Sequence, residues 1–90
     1  MKLTSVPQVR IDWEGMRPES LAFLRARRAL GGNVKPIEVS VYPDTGAVLV
    51  DGRHRLKIAR EHEDRSIQAI VRTYGPRGGL LSTRRTLLTL

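Results

Sequence analysis

The residues best suited to chemistry lie in one short stretch, Asp51-Gly52-Arg53-His54-Arg55, between an apolar run and a segment of helical composition. A helix N-terminus presents backbone N–H groups without intrahelical partners and carries roughly half a positive charge, so it attracts anions. Glycine lets the chain turn sharply and lets an anion approach without a Cβ in the way. With the basic side chains added, this corner predicts a phosphate-binding site formed by Gly52, Arg53, His54 and Arg55.

Two carboxylates are candidate catalytic groups for such a site. Asp51 could act as a magnesium ligand or as a general base, because a hard cation that binds phosphates prefers carboxylate oxygen. Asp51 is equally suited to cap the following helix, since aspartate is a preferred N-cap residue. Glu38 is the second candidate, although a carboxylate in a strand more often faces solvent. The structural alternative for the arginines of the corner is pairing with Glu38, Asp51 or Glu61.

Other metal and redox chemistry has little support in the composition. The chain has no cysteine, which excludes a disulfide framework, a thiolate metal cluster and a cysteine nucleophile. Its two histidines, His54 and His62, lie eight residues apart without a third ligand at matching spacing. A zinc site is therefore not expected.

The charge balance predicts an anionic partner. The chain carries a formal net charge of +7, and 13 of its 16 basic residues are arginine, whose planar fork suits bidentate contacts to phosphate. An arginine-biased genome would also explain that ratio. After Asp64 there is no acidic residue, so the last 26 residues carry +5. Four of their arginines form a predicted nucleic-acid surface: Arg72, Arg77, Arg84 and Arg85.

The manner of nucleic-acid binding follows from the aromatic content. Aromatic residues make up only 4 % of the chain, so stacking platforms for single strands are poorly supplied. Binding is therefore expected to be electrostatic, directed at the phosphate backbone and steeply dependent on salt. An acidic protein is the alternative partner for the same basic surface.

The length of 90 residues predicts one small domain, with no apolar run that suits a membrane span or a secretory signal. We therefore expect an intracellular, cytoplasmic protein without a membrane partner. Alternation of apolar and polar residues predicts strands over 9–13, 37–42 and 66–74, and an apolar run predicts a buried strand over 47–50 that forms a hairpin with the strand before it. Helical spacing predicts helices from about 18 to 30 and 55 to 63. Together these elements predict an α+β fold in which a few helices pack on a small mixed sheet.

Several side chains are assigned to the core or to the surface by this periodicity. Trp13, Phe23 and Tyr42 are predicted core residues. The first helix is expected to bury one stripe and to end at Gly31-Gly32, since glycine readily takes the left-handed C′ conformation. The stripe consists of Ala22, Phe23, Ala26, Ala29 and Leu30, and the arginines beside it are expected on a solvated face: Arg25, Arg27 and Arg28.

The last eleven residues, 80–90, are treated as a segment apart from a domain over 1–79. Their leucines recur at i, i+1, i+7 and i+8, a helical recurrence in which arginine supplies the only charge. The segment is predicted to be a docked helix, a partner-binding segment or a frayed end.

Three runs together resemble the ParB/sulfiredoxin superfamily: Pro36-Ile37-Glu38-Val39, Val50-Asp51-Gly52-Arg53-His54-Arg55-Leu56 and Ile67-Gln68-Ala69-Ile70-Val71. The matching region covers about residues 6 to 74. In that family an N-terminal strand and a helix ending in glycine precede a proline-led strand, which is the order predicted here. The resemblance implies a site for nucleotide or DNA phosphates at the 51–55 corner.

The resemblance also limits the activities that are expected. In sulfiredoxins the comparable corner binds ATP phosphates and a cysteine carries the redox chemistry; Arg53 stands at the cysteine-like position, so that reductase activity is not expected. In chromosome-partition ParB proteins the corner holds the triphosphate of CTP, and a helix-turn-helix domain follows. This chain ends before such a domain, so a complete partition protein is not expected unless the chain is a fragment.

Other relatives of this fold are nucleases or small-molecule kinases, which keeps an enzyme as an alternative. The resemblance then implies Mg²⁺, held by Asp51, together with a nucleotide such as CTP or ATP. The leading expectation is a domain that binds a nucleotide or DNA, ahead of a metal-dependent nuclease or nucleotide-using enzyme. A module that docks on an acidic protein is the third reading.

Overall fold

A five-stranded mixed sheet and two helices form the fold, in a computed structural model that describes residues 2–31 and 35–90. A short 3₁₀ helix, Val6–Gln8, precedes the sheet. The elements in chain order are β1 (Val9–Arg10), α1 (Pro18–Ala29), β2 (Ile37–Tyr42), β3 (Gly46–Asp51), α2 (Arg53–Glu61), β4 (Ser66–Tyr74) and β5 (Leu80–Thr89). The strand order across the sheet is β1-β3-β2-β4-β5, which confirms the small α+β fold.

The central strands define two ends of the sheet. β2 runs antiparallel to β3 and parallel to β4, and the predicted hairpin turn is confirmed by the pairing of Tyr42 with Gly46. The tips of the β2–β3 and β4–β5 hairpins therefore lie at one end, where the rings of Tyr42 and Tyr74 stack 5.1 Å apart. The 51–55 corner lies at the other end.

The segment over 80–90 is the clearest departure from expectation, because residues 80–89 form a strand and not a helix or a frayed tail. β5 pairs antiparallel with the whole length of β4, from Ser66 opposite Thr89 to Tyr74 opposite Leu80. The leucine spacing of β5 suits a helix, but pairing with β4 makes the segment a strand, because β4 satisfies the backbone groups on one side of β5 along its length. The positive segment is therefore an integral edge of the sheet.

The N-terminal segment contacts β5 at one edge of the sheet and pairs with β3 at the other. Ser5 forms a parallel bridge with Thr89 of β5, and the amide of Thr89 donates to the carbonyl of Thr4 at 3.0 Å. Four residues further along, Val9 pairs with Ala47 of β3 at the opposite edge. The predicted strand over 9–13 is shorter than expected, since only Val9 and Arg10 are paired.

The core lies between the inner face of the sheet, α2 and the N-terminal segment. Leu56 is fully buried and Ala59 nearly so, and each fully buried leucine contributes roughly 1.5–3 kcal/mol to folding. The core cluster consists of Leu3, Val6, Val9, Ile37, Val39, Ala47, Leu56, Ala59, Ile67, Ala69, Val71 and Leu88. In the described part of the chain, no helix is long and apolar enough to cross a membrane.

The prediction that three aromatic residues lie in the core is wrong. Phe23 is 61 % exposed, and Trp13 and Tyr42 are each 39 % exposed. Trp13 instead lies under the guanidinium of Arg60, 5.4 Å from the ring centre. Periodicity predicts which side chains share one face of an element, but it does not predict whether another element packs on that face. In the described residues, no element fully covers these three rings.

The prediction of which face α1 buries is also wrong, because all five residues of the predicted stripe are exposed. The helix instead buries Leu21 and half-buries Leu24 and Arg28, on a different face. It ends at Ala29, and Gly31 has the predicted positive φ of +76°. Gly32, the other half of the predicted stop, lies outside the described residues.

Ion pairs join α1 to α2 and to the turn that follows α2. Arg25 binds Glu61 with atoms 2.6 and 3.0 Å apart, and Arg28 binds Asp64 through a fork of 2.6 and 2.7 Å. Both pairs join residues 36 apart in sequence. Because the offset stays constant, the two helices run parallel and begin at the same end of the molecule. Arg25 is exposed, as expected for a solvated face, although it is paired, whereas Arg28 is half-buried and its expected solvated position is wrong.

Candidate functional site

The turn from β3 into α2 depends on Gly52. This residue is the N-cap of α2 and has φ +109°, a conformation that costs other residues about 1–2 kcal/mol. A Cβ at this position would lie 2.6 Å from Cγ2 of Ile37. Only glycine fits both requirements, so the chain can turn here directly over the core.

Asp51 is not the N-cap of α2, which removes the capping alternative. Asp51 is the last residue of β3, and the helix begins two residues later, at Arg53. No side chain hydrogen-bonds to the first turn through the N-cap position. The start of α2 therefore keeps backbone N–H groups that a ligand could use.

Arg53 holds the loop that leads into α1. Its guanidinium donates to the carbonyl oxygens of Asp12 and Gly15, each at 3.3 Å. The side chain is thus directed at backbone groups of 12–15. Its contribution to the corner is to position that loop beside α2.

His54 joins the starts of the two helices. The backbone N–H of Arg17, the N-cap residue of α1, donates to Nε2 of His54 at 3.1 Å. An imidazole that accepts at Nε2 is neutral and carries its proton on Nδ1. Burial lowers the pKa of His54, and the positive charges of Arg53, Arg17 and Arg55 lower it further. His54 is therefore a neutral link and not a cation for phosphate.

Arg55 is the most enclosed member of the corner, with only 15 % of its side chain exposed. Its Nη2 atom donates to the carbonyl of Pro36 and to Oδ2 of Asp51, both at 3.2 Å. Nε is buried and has no hydrogen-bond partner in the described part of the chain. Asp51 itself is 61 % exposed, so this pair can open toward a ligand at little cost.

These residues line a cleft of about 720 Å³ between the starts of α1 and α2, named here the corner cleft. Its charges balance, with three arginines and three carboxylates: Arg17, Arg53, Arg55, Asp12, Glu19 and Asp51. The positive ends of two parallel helices add to that balance. Arg17 was missed by the sequence reasoning; its place directly before Pro18, a residue favoured at the first helical position, was the available signal.

Glu38, the second candidate carboxylate, does not line this cleft. The register places Glu38 opposite Asp51, but Oε1 of Glu38 accepts from Nη1 of Arg72 at 2.6 Å. Two predicted site residues, one catalytic and one for nucleic acid, are thus paired with each other. Within residues 2–31 and 35–90, no group of three or more His, Asp or Glu side chains is placed to hold a metal ion.

The other predicted nucleic-acid residues lie apart from one another. Arg77 is in the loop at the hairpin-tip end of the sheet, opposite the corner. Nη2 of Arg84 donates to the carbonyl of Leu3 at 3.3 Å. Arg85 lies opposite Ile70 of β4 and lines a second cleft, near α1.

Comparison with protein-family models, with curated proteins and with solved structures finds no match for this chain.

Proposed function

We propose that this chain is a ParB/sulfiredoxin-like domain that binds phosphate groups of a nucleotide or DNA at the 51–55 corner. The observation that carries the proposal is the parallel start of α1 and α2 at one cleft, fixed by the bond from Arg17 to His54. Two helix N-termini side by side repel each other, and an anion between them relieves that repulsion. The turn at Gly52 brings the backbone to the cleft without a side chain.

The residues of the corner divide into supports and contacts. Gly52, Arg53 and His54 shape the cleft through the contacts described above. The contacts to phosphate come from the first backbone N–H groups of α2 and from Arg17 and Arg55. This division explains how a cleft with balanced side-chain charges still favours an anion.

Mg²⁺ fits the corner as a companion of the phosphates. Asp51 offers an exposed carboxylate beside the start of α2. Because Mg²⁺ is usually held by one or two carboxylates together with phosphate oxygens and water, a nucleotide would supply the remaining ligands. An enzyme that transfers or hydrolyses phosphate is the alternative for this same site.

A thermal-shift screen of nucleoside triphosphates, with and without Mg²⁺, tests the proposal, because a ligand that binds only the folded state raises its apparent stability. We expect Arg17→Gln to weaken binding about fivefold, in line with about 1 kcal/mol, the upper end for one solvent-exposed charged contact. Asp51→Asn is expected to reduce binding with Mg²⁺ and to increase it without Mg²⁺. Asp44→Asn, in the hairpin turn at the opposite end, is the matched control.

The proposal fails if no nucleotide shifts the transition, or if Arg17→Gln and Asp44→Asn behave alike. Turnover of nucleotides or DNA with Mg²⁺ or Mn²⁺, lost in Asp51→Asn, would favour the enzyme. Replacing Arg55 and His54 together by alanine removes the contacts of Arg55 with Pro36 and of His54 with Arg17, which support the corner. Binding by that variant is therefore interpreted only after its folding has been checked by circular dichroism.

The outer edge of β5 over residues 80–87, which precedes the contacts of Thr4 and Ser5 with Thr89, favours a second candidate, docking of an acidic protein. β5 is a ten-residue edge strand that exposes Leu80, Leu81 and Leu87 and carries only positive charge. An edge strand offers unpaired backbone groups to an added strand. A peptide of alternating valine and glutamate is expected to bind at this edge and to lose affinity in Arg84→Glu. Equal binding to that variant would exclude the edge.

A further inference from the structure

Of the two clefts lined by described residues, the more cationic is not the corner cleft but its neighbour, a cleft of about 710 Å³ that is named here the basic cleft. It lies between α1, α2, the start of β4 and Arg85 in the middle of β5. Its charged lining consists of Arg27, Arg28, Lys35, Arg55, Arg85 and Asp64. Five cations and one carboxylate line it; that carboxylate is bound by Arg28, and Arg55 is paired with Asp51 of the corner cleft.

These cations converge from distant parts of the sequence. Lys35 precedes β2 and Arg85 lies in β5, and neither forms a hydrogen bond or ion pair with the described residues. Arg55 reaches the cleft from α2 with its enclosed guanidinium. Such a concentration of positive charge destabilises the folded protein unless an anion compensates it.

Phe23 forms the border between the two clefts and lines both of them. Its ring is 61 % exposed, and the guanidinium of Arg27 lies over it at 5.9 Å from the ring centre. Single exposed apolar residues are common on protein surfaces. An exposed ring between arginine-lined clefts is the arrangement in which a base stacks while its neighbouring phosphates bind cations.

We propose that the basic cleft binds the phosphate backbone of a single-stranded nucleic acid, one base of which stacks on Phe23. Duplex DNA fits this arrangement poorly, because its base faces are already stacked within the helix. An acidic peptide would satisfy the arginines but has no flat ring for Phe23. The inference does not depend on nucleotide binding at the corner, since only Arg55, Phe23 and Leu24 line both clefts.

Fluorescence anisotropy with a labelled oligothymidylate of about twelve nucleotides, within the usual range of site sizes, tests the proposal. The matched duplex of the same length is the comparison. We expect the single strand to bind about tenfold more tightly than the duplex at equal salt. Absence of oligothymidylate binding at about 50 mM salt, where phosphate contacts are strong, overturns the proposal.

Two pairs of variants locate the site. Phe23→Leu keeps the apolar bulk but removes the ring and is expected to weaken binding about tenfold, whereas Phe23→Tyr keeps the affinity. Arg85→Gln is expected to lower the slope of log affinity against log salt by about 0.7, the loss of one phosphate contact to a single strand. Arg77→Gln removes the same charge at the opposite end of the sheet and leaves the slope unchanged.

Three results would contradict the assignment. They are equal affinity of duplex and single strand, unchanged affinity in Phe23→Leu, and displacement of the oligonucleotide by an equal concentration of a glutamate-rich peptide. Nucleotide binding that is lost in Arg17→Gln while oligonucleotide binding persists would leave the basic cleft intact. The two proposals therefore fail independently.

Discussion

The corner cleft and the basic cleft share Arg55, Phe23 and Leu24 but use their arginines differently. At the corner, Arg53 and Arg55 bind carbonyl oxygens of the chain itself, and the side-chain charges of the cleft balance. In the basic cleft, five cations face one carboxylate. A run of basic residues in a sequence can thus serve mainly to hold a turn, while the cationic surface is assembled from residues that are far apart.

Replacing Gly52 by alanine should disrupt the corner most strongly. The positive φ and the Cβ clash with Ile37 together predict a loss of about 3 kcal/mol in the free energy of unfolding. Gly78→Ala is the control, because its φ is +82° but no atom lies within 4 Å of the added Cβ, so only about 1 kcal/mol is expected. Urea denaturation measures both, and equal losses would exclude the clash.

Replacing Arg55 by methionine should affect both clefts at once. The carbonyl of Pro36 loses its donor in a half-buried position, which predicts a loss of about 2 kcal/mol in stability. Binding of nucleotide and of oligonucleotide should both weaken, as calorimetry can show. Lys57→Met, on the exposed side of α2, is the matched control. Loss of only one of the two binding activities would mean that Arg55 contributes to binding in only one of the two clefts.

Acidification should weaken the corner through His54. The pKa of His54 is lowered in the folded state, so below its ordinary value of about 6.5 the unfolded chain binds more protons. The stabilising contribution is therefore present above pH 6.5 and is lost as pH falls from there through the folded-state pKa. Denaturation at several pH values should show this dependence, and His54→Asn should reduce it. The same dependence in both proteins would place its cause elsewhere.

The smallest expected effect comes from Asp64→Asn, which acts on the basic cleft alone. Loss of the half-buried pair with Arg28 should cost about 1 kcal/mol or less in stability. The remaining positive charge should raise oligonucleotide affinity about threefold, within the range expected for one surface charge. Nucleotide binding at the corner should stay the same, and a change there would show that the two clefts are coupled.

Much of the architecture could be predicted from the sequence because local patterns and tertiary contacts agree in the centre of the sheet. β2, β3 and β4 show the expected strand patterns, and the turn at Pro43 and Gly46 joins the first two. β5 could not be predicted in the same way. Its leucine spacing suits a helix, and only pairing with β4, which no local pattern reveals, makes it a strand.

The turn at the corner was predictable from the sequence, but the contacts of its side chains were not. The types and spacing of Gly52 to Arg55 indicated a turn into a helix, and the structure has that turn. The bond from the Arg17 amide to His54 joins residues 37 apart in sequence, which no pattern reveals. The exposure of Phe23 was missed for the same reason, since periodicity does not tell which face of a helix meets its neighbour.

The bridge between Ser5 and Thr89 bears on how this chain folds. Residues 3–5 meet 84–89 across most of the chain, as in the bond from Arg84 to Leu3 over 81 positions. Closing so long a loop is entropically costly, whereas the β2–β3 and β4–β5 hairpins close over short turns. We expect the hairpins to form first and this seam last. Native-state hydrogen exchange should then show faster exchange for the Thr89 amide than for Val39, and opening of the seam would release residues 3–5 while the central sheet stays folded.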